Sequence, residues 1–203
     1  MSFAEQHRKE RRARDHNATR ASILDAARRV ADREGARNLS LRGAAAEAGY
    51  TPAALYGYFR NKDELLLALA ADDLAGLART LREAARAQGG GLAAASAAAL
   101  DLLENTETIA AASTALPQNG SGSGSGSGSE MERLFNGRLI AVLTALSETV
   151  GEGAKSREAQ ADVLLVAATL SGLALLSRAG RLEALGFDTG ELLARLEARF
   201  AND

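Results

Sequence analysis

Residues 39–62 read LSLRGAAAEAGYTPAALYGYFRNK, from Leu39 to Lys62. Two short helices joined by a tight turn fit this stretch. Ser40 caps the first, because its hydroxyl can accept from a free amide of the opening turn. Gly49 ends it in the left-handed conformation that a Cβ disfavours. Thr51 caps the second, and Pro52 stands at its first position, where the missing N–H is no loss. Ala44, Ala45 and Ala48 are small enough to let the two helices pack closely. Leu55 and Phe59, four residues apart, share the inward face. Thr51, Ala53, Ala54, Tyr56, Gly57 and Tyr58 are left facing out or sideways. The pattern is a helix-turn-helix, which sets its second helix into a DNA major groove.

Working outward, a helix is expected from about Thr19, with Ile23, Ala27 and Val30 on one face and Leu24 and Ala31 widening it. Glu34-Gly35 stops it. On the other side, Asn61 and Glu64 form a capping box that opens a fourth helix, carried to about residue 86 by Leu65, Leu66, Leu69, Leu74, Leu77 and Leu81. Gly89-Gly90-Gly91 breaks the chain. A helix of small residues follows from about Leu92 to about Glu104, with Leu116 as its far limit before Pro117. Further amphipathic helices are expected over 131–150, from Glu158 to about Leu185, and over 189–200. Residues 1–17 carry Arg8, Lys9, Arg11, Arg12 and Arg14 with no apolar stripe, and read as a disordered basic arm that tracks a minor groove or is simply solvated. Residues 120–129 are GSGSGSGSGS. So regular a repeat buries nothing and reads as an engineered flexible linker.

The chain has 203 residues, 46% of them hydrophobic but only 4% aromatic, so Ala and Leu must supply the core. Those are helix formers, and the expected fold class is all-α. The domains expected are the arm at 1–17, a three-helix DNA-binding domain at 18–64 and a helical domain at 65–203. There is no cysteine, which excludes disulfides, thiolate metal sites and a Cys nucleophile. His7 and His16 both lie in the arm and read as surface residues, so no metal and no cofactor is expected. There is no Walker phosphate loop and no GxSxG elbow, and Asp72-Asp73 point apart on a helix. An enzyme is not expected. No run of about 18 apolar residues or secretory signal is evident, and a soluble cytoplasmic protein without membrane contact is expected. Residues 1–64 hold 13 basic and 9 acidic side chains, a balance of +4, against −6 for the remainder. A polyanion partner is therefore expected at the front only.

All three tyrosines, Tyr50, Tyr56 and Tyr58, fall within nine residues. A phenol can lie on a sugar and donate to a phosphate. Tyr56 and Tyr58 read as DNA contacts, and Tyr50 reads as partly core. Lys62, in the first turn of the fourth helix, is placed to share a phosphate with the free amides there. Arg42 can reach base or backbone.

The block LSLR, then Ala-Gly-Tyr, then Leu-Tyr-x-Tyr-Phe, then Asn-Lys-Asp-Glu-Leu-Leu resembles the TetR family of bacterial repressors over residues 18–70. The resemblance implies operator contact by Ser40, Arg42, Thr51, Ala53, Ala54, Tyr56, Tyr58 and Lys62. Two departures bear on base reading. Gly43 stands where many members carry a larger residue, and Pro52, Ala53 and Ala54 offer base edges almost no hydrogen bonds. The resemblance also implies a homodimer through helices at about 158–181 and 189–201, where Gly172 allows close approach, bound to a pseudo-palindromic double-stranded operator. It further implies a largely apolar small-molecule inducer in the C-terminal domain. Candidate ligand contacts are Asn105, Thr106, Thr108, Ser113 and Thr114, with Phe135 and Arg138. The alternative is a helical small-molecule-binding or sensor module without operator binding.

Overall fold

The computed structural model describes residues 3–87, 91–115, 130–150 and 156–200. The Gly-Ser repeat at 120–129, Gly89-Gly90, Leu116 and Pro117 lie outside them. Among the described residues all regular structure is helical. The order is α1 (Phe3–Glu34), a 3₁₀ turn (Ala36–Asn38), α2 (Leu41–Ala48), α3 (Pro52–Leu55), α4 (Lys62–Arg86), α5 (Leu92–Glu104), α6 (Thr108–Ala115), α7 (Glu130–Ser147), α8 (Arg157–Arg178), α9 (Arg181–Ala184) and α10 (Thr189–Phe200). The chain divides into two compact units, residues 1–70 with 108–132, and residues 71–107 with 133–203. The sequence border at 64–65 falls inside α4, which runs through it without a break.

In the first unit, α1 packs on α2 and α2 on α3. Ile23, Ala26, Ala27 and Val30 of α1 are buried, as are Leu41, Ala44 and Ala45 of α2. Leu55, Phe59, Leu65 and Leu69 are also buried. Alanines on both faces bring α1 and α2 together, and two arginines clamp the pair from outside. Arg29 Nε donates to Glu47 at 2.8 Å and Arg33 Nη1 reaches the same carboxylate at 3.3 Å.

One expectation is corrected here. The segment 1–17, read as a disordered arm, is helical from Phe3 as the continuous start of α1. Ala, Glu, Gln, Arg and Lys are strong helix formers, and a helix already nucleated on a packed face extends at little further cost. Gln6 donates to Glu10 at 3.3 Å one turn on, and His7 stands 3.7 Å from the same carboxylate.

In the second unit α5 packs on α8, and α10 on both. Leu100, Leu173, Ala174 and Leu182 form a core against which Leu103, Leu192 and Leu193 rest. α5 ends at Glu104, the nearer of the two limits expected for it. Asn105 closes its end, with Nδ2 donating to Asp101 O at 2.7 Å beside its own backbone amide, which donates to the same carbonyl at 3.3 Å. The helix expected to reach Leu185 ends at Arg178, because Gly180 takes a left-handed φ of 63° before α9. Ser156 caps α8 and Asp188 caps α10 by accepting from Ala159 N and Glu191 N.

α8 is long and apolar enough to cross a membrane by length and composition alone, with a mean hydropathy of 1.7 in its most apolar window. Its polarity is one-sided in a different way. Val163, Val166, Leu170, Leu173 and Ala174 face the core, while Leu164, Leu165, Leu175 and Leu176 are exposed. Leu165, Ala168, Gly172 and Leu175 recur at helical spacing on the exposed side. A Cβ on Gly172 would meet nothing within 4 Å.

Candidate nucleic-acid interface

The two short helices are held by caps that the sequence dictates locally. Ser40 Oγ accepts from Gly43 N at 3.1 Å, and Thr51 Oγ1 accepts from Ala54 N at 3.3 Å. Gly49 takes φ 74°, and its amide and that of Tyr50 close back on α2. α3 is a single α turn, after which the amides of Gly57 and Tyr58 make tighter bonds to Ala54 O and Leu55 O and that of Phe59 donates to Leu55 O as well. Leu55 is thereby turned fully inward with Phe59. Asn61 Oδ1 accepts from Glu64 N at 2.9 Å, while Glu64 Oε2 accepts from Arg60 N at 2.8 Å. The capping box is thus present, with its return bond moved one residue upstream.

This leaves Ser40, Arg42, Thr51, Ala53, Ala54 and Tyr56 exposed. Tyr56 is 61% exposed, the most open aromatic of the head. Tyr50, read as partly core, is 39% exposed and belongs with the outward set. Tyr58 is half-buried because its ring stacks on His16 of α1, with centroids 4.5 Å apart and planes at 17°. One turn further along α1, the Arg20 guanidinium lies 5.3 Å above the Phe59 ring and donates to Met131 Sδ at 3.3 Å. Lys62 has a partner in its own chain, since its ammonium donates to Arg37 O across the 3₁₀ turn. That bond anchors the stem and uses one of three N–H donors. The sequence marks His16 only as a surface residue and does not mark Arg37 at all. Their partners lie 42 and 25 positions away, so no local spacing marks them.

Around this surface Glu47 is the one carboxylate whose ionisation clearly shifts among the described residues. The Arg29 hydrogen bond, with the Arg33 charge behind it, holds its pKa below the usual carboxylate range.

The seven ligand candidates are divided between the two units. Asn105 and Thr106 are taken up at the end of α5, where Arg178 donates to Thr106 O at 3.2 Å and pairs with Glu107. Thr108, Ser113 and Thr114 belong to the first unit. Thr108 is buried, whereas Ser113 and Thr114 are exposed and bond to carbonyls of their own helix. Phe135 is core and Arg138 is exposed. A groove of about 350 Å³ lies instead between α7 and α8, lined by Ile140, Leu143, Thr144, Ser147, Gln160, Val163 and Leu164. None of the seven candidates lines it. Two buried polar atoms on α5, Ser96 Oγ and Glu104 Oε1, have no hydrogen-bond partner. The sequence signal for Ser96 is slight, a single hydroxyl in the alanine run LAAASAAAL.

Residues 23–69 match the family described as bacterial regulatory proteins, tetR family. The chain is 45% identical over 62 residues to the HTH-type nicotine-responsive transcriptional repressor HdnoR of Paenarthrobacter nicotinovorans, covering 30% of this chain and 32% of that protein. It thus spans about a third of the length of that relative. Two solved structures share the fold over nearly the whole chain. A TetR-family transcriptional regulator from Streptomyces coelicolor aligns with a TM-score of 0.60 at 21% identity, covering 90% of this chain and 99% of that one. The transcriptional regulator FadR from Bacillus subtilis in complex with stearoyl-CoA aligns with a TM-score of 0.59 at 19% identity, covering 90% and 97%.

Proposed function

We propose that this chain belongs to the TetR family of bacterial regulatory proteins, which its residues 23–69 match, and that it is a cytoplasmic repressor that binds a pseudo-palindromic DNA operator as a homodimer and is released by a small-molecule inducer. The observation that carries this reading is the exposed array of Arg42, Thr51, Ala53, Ala54 and Tyr56 on two capped helices whose inner sides are sealed by Leu55 and Phe59. In this reading residues 18–64 bind DNA and residues 65–203 dimerise and bind ligand. Arg42 contacts a base edge or phosphate, Tyr56 and Tyr58 contact sugar and phosphate, and Ser40 and Lys62 position the backbone. Ala53 and Ala54 let the backbone of α3 come close, so base choice rests on methyl contacts and DNA shape as well as on Arg42 and Thr51.

The uncovered apolar face of α8 supports the dimer, because Leu164, Leu165, Leu175 and Leu176 are exposed on one long helix, Leu185 and Phe187 are exposed after it in the chain, and Gly172 leaves room for a second helix to approach. The groove between α7 and α8 and the unmatched Ser96 and Glu104 atoms support a ligand with an apolar body and hydrogen-bonding groups. The relative that responds to nicotine and the FadR complex with stearoyl-CoA suit a similar use of this fold. Such a ligand releases DNA only by its differential affinity for the conformation that cannot bind the operator.

The test is selection from a random duplex library at moderate salt. A two-fold symmetric sequence is expected, bound roughly five- to 150-fold more weakly by Arg42→Ala. Tight binding of small molecules with no DNA enrichment would replace this reading with that of a sensor module.

A further inference from the structure

Residues 5–18 of α1 are exposed throughout, Lys9 and Arg12 among them. At 3.6 residues per turn, Lys9, Arg12, His16 and Arg20 fall on one stripe, whereas Arg11 and Arg14 fall on the far side. Two ring contacts fix the direction in which this stripe faces. His16 stacks on Tyr58, and Arg20 sits over Phe59. The stripe therefore starts at the tyrosine assigned to the DNA backbone and continues away from the head. Arg12 and Lys9 stand about 6 and 10 Å beyond His16 along the helix axis.

We propose that the outer half of α1 is a second DNA-contacting element, with Lys9 and Arg12 lying on duplex phosphates that flank each half-site. The inference rests on the reading of the head as a duplex-binding domain and extends its footprint. Charge complementarity and continuity with the Tyr58 surface both select this partner. Duplex DNA carries one negative charge per about 1.7 Å of axis, so cations spaced a helical turn apart meet phosphates all along it. A helix of about 10–12 Å diameter does not enter a minor groove about 6 Å wide, so the contact is with the backbone rather than within that groove. The stack with His16 ties the two elements together, because it sets the ring plane of Tyr58 and the rotation of α1 at once.

The experiment compares two double variants of the full chain with equal loss of charge, Lys9→Gln/Arg12→Gln and Arg11→Gln/Arg14→Gln. Each is titrated by fluorescence anisotropy over a range of salt. The probes are the duplex selected from the random library with 12 added base pairs on each side, and the same duplex trimmed to its symmetric core. Circular dichroism confirms that helicity is retained. On the long duplex Lys9→Gln/Arg12→Gln is expected to reduce the slope of log K against log salt by about 3.6, for two contacts in each of two protomers at about 0.9 each. On the trimmed duplex its slope should match that of the parent chain. Arg11→Gln/Arg14→Gln should change either slope by less than about 1. Equal effects of the two variants, or no effect of the first on the long duplex, would overturn the proposal while leaving operator binding intact. A parent chain that selects and binds no duplex would overturn the head reading and this inference together.

Discussion

The two units treat their surfaces differently. Around the helix-turn-helix, apolar side chains are turned inward, the openings of α2, α3 and α4 are capped by Ser40, Thr51 and Asn61, and Glu47 joins α1 to α2 through two arginines. The second unit leaves four leucines of α8 in the open and two polar atoms of α5 buried without partners. A part that must fit a preformed duplex gains from being complete before it binds, since no ordering cost then falls on recognition. In the proposed reading the second unit binds a second copy and a ligand, and its open apolar area and unmatched hydrogen-bonding groups are what such partners would cover.

The largest expected effect breaks the second half of this contrast. Leu165→Glu with Leu175→Glu places four charges in the symmetric interface and removes apolar burial worth about 1.5–3 kcal/mol per leucine. The dimer dissociation constant should rise by three orders of magnitude or more, with monomer seen by sedimentation velocity. Next in size, Arg42→Ala should cost about 1–3 kcal/mol of operator binding, read by anisotropy, while the melting temperature stays unchanged.

Smaller effects of opposite sign separate the units directly. Ser40→Ala should destabilise by about 1 kcal/mol in a denaturant titration, through loss of a helix cap. Ser96→Ala should stabilise the ligand-free chain by about 1 kcal/mol, because it removes a buried hydroxyl that has no partner. A loss of stability in Ser96→Ala would mean that the hydroxyl is already satisfied. The smallest effect concerns pH. Glu47 ionises at lower pH in the folded chain than in the unfolded one, where a glutamate titrates near about 4.3. Its pair therefore contributes above that pH and is lost as the pH falls through the folded value. Glu47→Gln should narrow its stability gap to the parent chain over that acid window, as followed by thermal melts between pH 3 and pH 6.

The parts legible in the sequence are those set by neighbours a few residues apart. Ser40, Thr51, Pro52 and the Asn61–Glu64 pair declare helix starts because caps act within one turn. Leu55 and Phe59 declare the inward face by their spacing. The outer half of α1 was missed because it has no apolar stripe, although its propensity for helix was present in Ala, Glu, Gln, Arg and Lys. Tyr50 was misplaced because ring burial depends on what the folded chain brings alongside. The partner of Lys62 is a carbonyl on the 3₁₀ turn, beyond the reach of any local pattern. Polar residues in an apolar run do not by themselves mark a ligand site, since Asn105, Ser113 and Thr114 bond to carbonyls of their own helices.

The central claim is that two copies of this head read one duplex symmetrically. Hydroxyl-radical footprinting on the selected duplex tests it most directly. The account predicts two protected patches related by a dyad, with centres about one helical turn apart, near 34–36 Å, and both weakened by Arg42→Ala. A single asymmetric patch, or protection indifferent to Arg42, would contradict it.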